Sequence, residues 1–344
     1  MVDAICEELV MRADYLEDEV STIYFGGGTP SLLTKDQLKK LMDTIRNHYP
    51  LTPNPEITLE ANPEDLTAAK PQILLDLGIN RLSIGIQTFD NQELKWMNRA
   101  HDAADAVTSF ANVRNAGFQN ISLDLIYALP TMGNSTWKEN LRKAAELQPE
   151  HISLYGLTIE DQTVFGKRKK KNELIEMPED DAAEEYLAAI SYLRELGYEH
   201  YEVSNFGKPG FYSQHNMAYW SGNAYLGVGP GAHSFDGSTR QFNLRSNPKY
   251  LKAIVNNDIF FEVEELTQTQ RLNEQILTGL RRKSGILFSE LKEQFHVDLR
   301  DTYHKILDNF DKQGLVSYSD DRLQLTSHGF LVADEIALQL FFQE

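Results

Sequence analysis

The decapeptide Ser21-Thr22-Ile23-Tyr24-Phe25-Gly26-Gly27-Gly28-Thr29-Pro30 runs from a β-branched and aromatic segment straight into three glycines. Its first half has the composition of a buried strand. Its second half carries no side chain before Thr29, so backbone there can approach another group closely. No Gly-Lys-Ser/Thr follows, which excludes a phosphate loop, and the glycine spacing is not that of a dinucleotide fingerprint. Taken alone, the glycines suit a tight structural turn as well as a ligand-facing strand end.

Similar runs recur along the chain. Residues 57–60, 81–87, 121–128 and 152–157 are short, rich in Ile, Leu, Val or Tyr, and stop at Gly, Pro, Thr or a polar residue. Helical-period segments lie between them: 35–48 with Thr34 as N-cap, 102–116 with Gly117 as C-cap, 134–146, and 180–196 closed by Gly197. The alternation predicts an α/β fold, a parallel sheet covered by helices. Five or six such units make a full or partial (β/α) barrel, and a doubly wound open sheet is the alternative. The chain opens on a helix, expected over 3–16, so a first strand is expected to be missing.

From about residue 266 the character changes. Helices are expected over 273–280, 288–295 and 299–313, followed by a hairpin from 315–318 to 322–326 through Ser319-Asp320-Asp321. This predicts a small winged-helix-like α+β domain. The expected division is a truncated barrel over 1–205, a connecting segment over 206–265 and the C-terminal domain over 266–344.

The 344 residues suffice for one large core and a smaller second domain. A net charge of -18 argues against unassisted binding to nucleic acid or an anionic membrane. In the C-terminal domain nine Lys and Arg face twelve Asp and Glu, which favours a packing or lid role over DNA binding. The only dense basic run, Lys167-Arg168-Lys169-Lys170-Lys171, is followed by Glu173, Glu176 and Glu179, as in a solvated loop, with a docking patch as the alternative. The single cysteine, Cys6, allows no intramolecular disulfide and suits a reducing compartment. The first ten residues contain acids and no base, unlike a secretory leader, and no long apolar run spans a membrane. The expected location is the cytoplasm.

Polar residues stand at the strand ends. Glu60 closes "EITLE", Gln87 closes "RLSIGIQ", Asp124 sits inside "NISLDLIYALP", and Thr158 and Glu160 close "HISLYGLTIE". In a parallel α/β sheet these ends share one rim, where ligands bind. Each residue alone reads as a cap or strand-end hydrogen bond; together they favour a site. Arg99, in "KWMNRAH", suits bidentate capture of a carboxylate, and an exposed salt bridge is its ordinary role. In "HNMAYW", His215 beside Tyr219 and Trp220 can offer an axial nitrogen to haem iron, or it can satisfy a carbonyl in a buried aromatic corner. The pattern by itself favours the corner.

The segments "YFGGGTPSLL", "LEANPEDL", "RLSIGIQTFD", "MNRAH", "SLDLIYALP", "YEVSNF", "HNMAYW" and "GVGPGAHS" together resemble the radical S-adenosylmethionine family of oxygen-independent coproporphyrinogen III oxidase-like proteins. "HNMAYW" and "GPGAHS" resemble its haem chaperone branch. The resemblance covers nearly the whole chain and implies a partial (β/α)6 radical-SAM-type barrel, here lacking its first strand, with S-adenosylmethionine on the rim. Carried over by motif, Gly27, Gly28 and Thr29 would meet the methionine end, and Glu60, Gln87, Arg99 and Asp124 the amino-acid and ribose groups. The next strand's contact falls at Thr158, where the oxidases carry a small apolar residue. His215 would ligate haem iron, with Asn216, Tyr219, Trp220 and, more weakly, His233 around the macrocycle.

The family also implies a [4Fe–4S] cluster held by a Cys-x3-Cys-x2-Cys loop after the first barrel strand, which needs at least three thiolates. Cys6 is the only cysteine, on a helix that should follow that loop, so the cluster ligands are expected to be absent from this sequence. Two explanations compete: a strand and loop upstream of Met1, which is the one expected, or a genuine loss. Either way this polypeptide is expected not to cleave S-adenosylmethionine. The implied function is a haem-binding chaperone that delivers haem to a recipient apo-haemoprotein. A coproporphyrinogen III oxidase acting through a 5′-deoxyadenosyl radical and a winged-helix nucleic-acid-binding regulator are the alternatives. The sequence specifies neither the recipient nor the oligomeric state.

Overall fold

A computed structural model of the chain describes residues 1–130 and 133–343. Its main sheet contains β1 (Val20–Phe25), β2 (Leu51–Ala61), β3 (Arg81–Gln87), β4 (Ile121–Tyr127), β5 (His151–Gly156), β6 (Glu199–Glu202) and β7 (Asn205–Gly207). The spatial order is β1-β2-β3-β4-β5-β7-β6. Strands β2 to β5 pair in parallel. A doubly wound sheet reverses its order at a switch point, whereas here the first five strands follow one another across the sheet. The topology is therefore that of an open half-barrel. Strand β7 pairs antiparallel with both β5 and β6, and this insertion is absent from the sequence-based expectation.

Helices accompany the strands: α1 (Val2–Met11), α2 (Lys35–His48), α3 (Lys70–Asp76), α4 (Asn91–Trp96), α5 (Ala103–Ala116), α6 (Asn134–Glu146), α7 (Val164–Lys170), α8 (Glu179–Glu195), α9 (Gln214–Trp220) and α10 (Asn247–Asn256). The cap residues act as their chemistry dictates. Thr34 accepts from the Gln37 N–H in a capping box, and Asp102 does the same with Asp105. Gly117 ends α5 in the left-handed region at φ 110°. Helix α1 ends at Met11 rather than residue 16, because the chain turns and brings the Tyr15 ring 4.5 Å from the Arg12 guanidinium.

The remainder holds two small sheets. Strands β8 (His233–Phe235), β9 (Thr239–Asn243) and β10 (Phe261–Glu265) form an antiparallel ladder within the segment read from sequence as a connector. Beyond it come α11 (Gln268–Leu280), β11 (Ile286–Leu287), α12 (Phe288–Phe295), α13 (Leu299–Lys312), β12 (Val316–Tyr318), β13 (Arg322–Leu325), α14 (Ser327–Leu331) and α15 (Ala333–Gln339). Three helices with the three-stranded sheet β11-β13-β12 give the winged-helix-like arrangement, and α14 and α15 extend it.

The chain divides into two compact units. One comprises Phe25–Leu32 and Ile57–Tyr212, the other Met1–Tyr24, Leu33–Glu56 and Ser213–Glu344. In the first, strand alternation separates two environments. Leu82, Ile84, Ile86, Leu123, Leu125, Ile152 and Leu154 are fully or almost fully buried and supply the apolar face. Arg81, Ser83, Gly85 and Gln87 share the opposite face of β3, as do Ser122 and Asp124 on β4 and His151 and Ser153 on β5. Hydrogen bonds join them across strands: Ser83 donates to Asp124, and Ser122 bonds His151 at 2.8 Å and Ser153 at 3.3 Å. The concave face of this half-barrel is thus polar from one end to the other.

In the second unit a buried carboxylate organises the packing. Glu8 of α1 is fully buried and accepts from the Gly229 N–H at 2.7 Å, Asn243 Nδ2 at 2.7 Å and the Tyr250 hydroxyl at 2.5 Å. Arg12 lies one turn along at 3.4 Å and supplies the counter-charge. This hub ties α1 to the "GVGPGAHS" loop and to α10. Gly227 in that loop admits no side chain, since a Cβ would stand 2.1 Å from the His233 carbonyl oxygen.

Candidate functional site

The C-terminal ends of β2, β3 and β4 and the glycine loop after β1 enclose a cleft. Its lining is Gly28, Thr29, Pro30 and Ser31 from the loop, Glu60, Ala61 and Asn62 after β2, Ser83, Gly85 and Gln87 from β3, and Asp124 from β4. About 360 Å³ of space opens here, mouth included, within the range of small-molecule sites. The space that a Gly28 side chain would occupy is empty, which leaves main chain facing the cleft. Ser31 donates to Asp65 at 2.6 Å and fixes the loop to the short turn Pro63–Asp65.

Arg99 stands behind this lining. Its Nη2 donates to Asn62 Oδ1 at 2.8 Å and to the Gly85 carbonyl at 3.1 Å, joining the ends of β2 and β3. A Cβ on Gly85 would lie 2.8 Å from Gln87 Nε2 and 3.6 Å from the Arg99 guanidinium, so the glycine makes room for both. Gln87 closes β3 at φ 70°, a conformation that costs a non-glycine residue free energy and clusters at ligand sites. His101, fully enclosed, presents Nδ1 to Glu64 at 3.2 Å and Nε2 to the Ile86 carbonyl at 3.1 Å, a second brace behind the same rim.

Asp124 receives Ser83 Oγ at 2.9 and 3.1 Å. Burial pushes its carboxyl up to about 6, against the opposing hydrogen bonds from Ser83 and Ser153 and the positive charge of Arg81; the charge of Glu60 adds to the rise. Deeper on the same face, burial and the Arg81 charge hold His151 well below its ordinary value, so it is neutral.

The second candidate is α9. Ser213 caps it through the Asn216 N–H, and the buried Glu56 carboxylate accepts from the Gln214 N–H at 3.2 Å and the His215 N–H at 3.1 Å. Three first-turn N–H groups are thereby satisfied, and the helix dipole favours the negative charge. His215 Nδ1 meets Thr22 Oγ1 at 2.9 Å, and its ring stacks on Tyr24 with centroids 4.9 Å apart. Thr22 and Tyr24 therefore hold this imidazole from the strand half of the opening decapeptide. Further along, Tyr219 is edge-on to Trp220 and 5.2 Å from Tyr225 between ring centroids. None of the α9 residues is fully buried.

The structure brings only some of the named residues together. Gly28, Thr29, Glu60, Gln87 and Asp124 line the cleft, and Gly27 and Arg99 are outside its lining. Arg99 is turned to the protein and acts through Asn62 and Gly85. Thr158 lies past the end of β5, exposed and outside the lining, because β5 stops at Gly156. His233 is exposed, its ring T-shaped to Phe242 with centroids 4.7 Å apart, and is not among the cleft-lining residues. Asn216 is half-buried on α9 beside His215. Ser31, Asn62, Ser83 and His101 were not singled out in the sequence. Ser83 and Gly85 were open to discovery, since the period of two along β3 places 83, 85 and 87 on one face.

The family model of the radical SAM superfamily matches residues 3–144, and that of the HemN C-terminal domain matches residues 266–332. The chain is 37% identical to the heme chaperone HemW of Lactococcus lactis over 97% of its own length and 88% of the relative. Identity to HemW of Bacillus subtilis is also 37%, covering 93% and 85%, and to HemW of Escherichia coli 33%, covering 95% and 85%. Among solved structures, the chain is similar to HemN, the coproporphyrinogen III oxidase of Escherichia coli, with a TM-score of 0.85 and 24% identity over 99% of this chain and 82% of that one. The class is therefore the radical SAM superfamily. Within it, the chain belongs to the HemW family of heme chaperones.

Membership implies S-adenosylmethionine and a [4Fe–4S] cluster, and the residues present treat the two differently. The cleft fits the first: Glu60 and Asp124 provide acceptors, Gln87 an amide, and the 28–29 main chain an unobstructed surface. For the second, the described residues offer the single thiol of Cys6, buried on α1, and no metal-holding group of His, Cys, Asp or Glu among them. No described helix is long and apolar enough to cross a membrane.

Proposed function

We propose that this protein binds haem through α9 in the cytoplasm and passes it to an apo-haemoprotein. The observation that carries the reading is the treatment of His215. Its Nδ1 is engaged by Thr22 and its ring is stacked on Tyr24. A ligating histidine is ordinarily fixed in this way, by a hydrogen bond at the other ring nitrogen. Nε2 is then the nitrogen that meets iron, with Asn216, Tyr219 and Trp220 along the same helix beside the macrocycle. The relatives' name, heme chaperone, supports the same reading.

S-adenosylmethionine, in this account, occupies the cleft with Gly28 and Thr29 toward its methionine end and Glu60, Gln87 and Asp124 toward its amino-acid and ribose groups. Arg99 holds the rim in shape. In radical SAM proteins this cofactor, reduced at a [4Fe–4S] cluster, supplies a 5′-deoxyadenosyl radical. Cys6, buried on α1, is the one thiol that these residues offer such a cluster. The likeness to HemN supports the fold alone.

The test loads the protein with ferric haem and mixes it with a defined apo-haemoprotein. Transfer faster than haem loss to a passive scavenger supports the carrier function, while failure of the wild-type protein to bind haem overturns it.

A further inference from the structure

Two cations from the turn after α11 stand at the C-terminal end of α9. The Arg281 guanidinium lies over the Trp220 ring, 5.5 Å from its centroid, and is paired with Asp334 at 2.5 Å. Arg282 differs. Its Nη1 donates to Ser221 Oγ at 3.2 Å, its Nε has no hydrogen-bond partner, and no carboxylate pairs with it among the described residues. The Trp220 indole Nε1–H, on the residue before Ser221, is shielded from water and also lacks an acceptor. Burial lowers the pKa of Arg282, with only the charge of Glu290 acting the other way.

A partly buried cation with no carboxylate in ion-pair contact is costly unless an anion completes it. The Arg282 guanidinium and the Ser221 hydroxyl, 3.2 Å apart, can meet such an anion together. A guanidinium edge of this kind suits the two oxygens of a carboxylate. The spacing along α9 narrows the identity. Ser221 is six residues beyond His215, about 9 Å along the helix axis at a rise of 1.5 Å per residue. That span is comparable with the reach from a porphyrin's metal to its propionate carboxylates.

We propose that Arg282, with Ser221, forms the carboxylate site for a haem propionate, so that the C-terminal domain takes part in holding the cargo. This rests on the assignment of His215 to haem iron and adds to it a second, charged point of attachment. The two points would fix the macrocycle's orientation along α9, which a single axial bond leaves free to rotate.

The experiment compares ferric protoporphyrin IX with its dimethyl ester, which keeps the iron and removes both carboxylates. Titrations of wild type, Arg282→Gln, Arg282→Lys and His215→Ala are followed in the Soret region, with folding checked by circular dichroism. For free-acid haem, Arg282→Gln should weaken binding about tenfold to a hundredfold without changing the Soret maximum of the saturated complex. Arg282→Lys should recover part of the affinity. The ester should bind wild type as weakly as the acid binds Arg282→Gln, and should be indifferent to that substitution. Equal affinity of wild type for acid and ester overturns the propionate site without any variant. So does unchanged acid affinity in Arg282→Gln. Absence of haem binding by wild type overturns instead the carrier reading beneath it.

Discussion

The cleft over β2 to β4 and the helix α9 are built in opposite ways. The cleft gathers residues from four separate stretches of chain and braces them from behind, through Arg99, His101 and Ser31. Ser83 and Asp124 are joined to each other before any ligand arrives. Helix α9 carries its functional side chains within seven residues, has none fully buried, and ends beside donors that lack acceptors. The first arrangement is preorganised for one small ligand whose shape is matched by fixed groups. The second is an open platform, suited to a large flat cargo that must also leave.

The contrast can be broken most sharply at Arg99. Arg99→Ala removes the tie between Asn62 and Gly85, and S-adenosylmethionine affinity should fall about a hundredfold by calorimetry, at the upper end for a charged hydrogen-bonding group. Haem affinity should stay at the wild-type value. Equal losses for both ligands would show that the two regions are not separately organised.

A smaller effect is expected at Glu56, whose carboxylate closes the first turn of α9. Glu56→Ala should cost about 1–2 kcal/mol of local stability, by analogy with loss of an N-cap. Amide exchange at residues 214–216 should accelerate, and haem affinity should drop modestly with no change at the cleft. Unchanged exchange there would remove the preorganising role assigned to Glu56.

Asp124 provides the subtlest test. Its folded pKa is raised from 3.8 to about 6, so the native state holds its proton more tightly than the unfolded chain. Ionisation therefore works against the fold: stability falls as pH rises from about 4 to 6 and stays lowered at pH 7. Asp124→Asn should stabilise the protein at pH 7 by on the order of 1–2 kcal/mol, with the gain vanishing near pH 4. The same change should weaken S-adenosylmethionine binding, a trade of ligand contact against stability. Stabilisation that persists undiminished at pH 4 would assign it to packing instead of charge.

The barrel strands were legible because each joins an apolar face to a polar one, and 81–87 is reproduced as β3 to the residue. β2 is longer than expected, because Pro53 and Pro55 disguise its first half. β6 to β10 escaped notice: they are three to five residues long and lie among glycines and polar residues, where periodicity gives no signal. At the cleft, the carboxylates and the amide stood out as polar ends of apolar runs, whereas Ser83 and Asn62 look like any cap. The brace made by Arg99 is a fact of tertiary geometry, since nothing in "KWMNRAH" shows which way the guanidinium turns. On α9 the residue pattern pointed to an aromatic corner, and only the wider resemblance pointed to haem. The partners of His215, Thr22 and Tyr24, lie 193 and 191 residues earlier in the chain, beyond the reach of any local pattern.

The central claim is that His215 is the iron ligand of a haem carrier. Electron paramagnetic resonance and Soret spectra of the ferric haem complex, recorded for wild type and His215→Ala, test it most directly. Wild type should show a nitrogen-ligated iron, and His215→Ala should lose that signature together with at least tenfold of the affinity. Identical spectra and affinities in the two proteins would contradict the account.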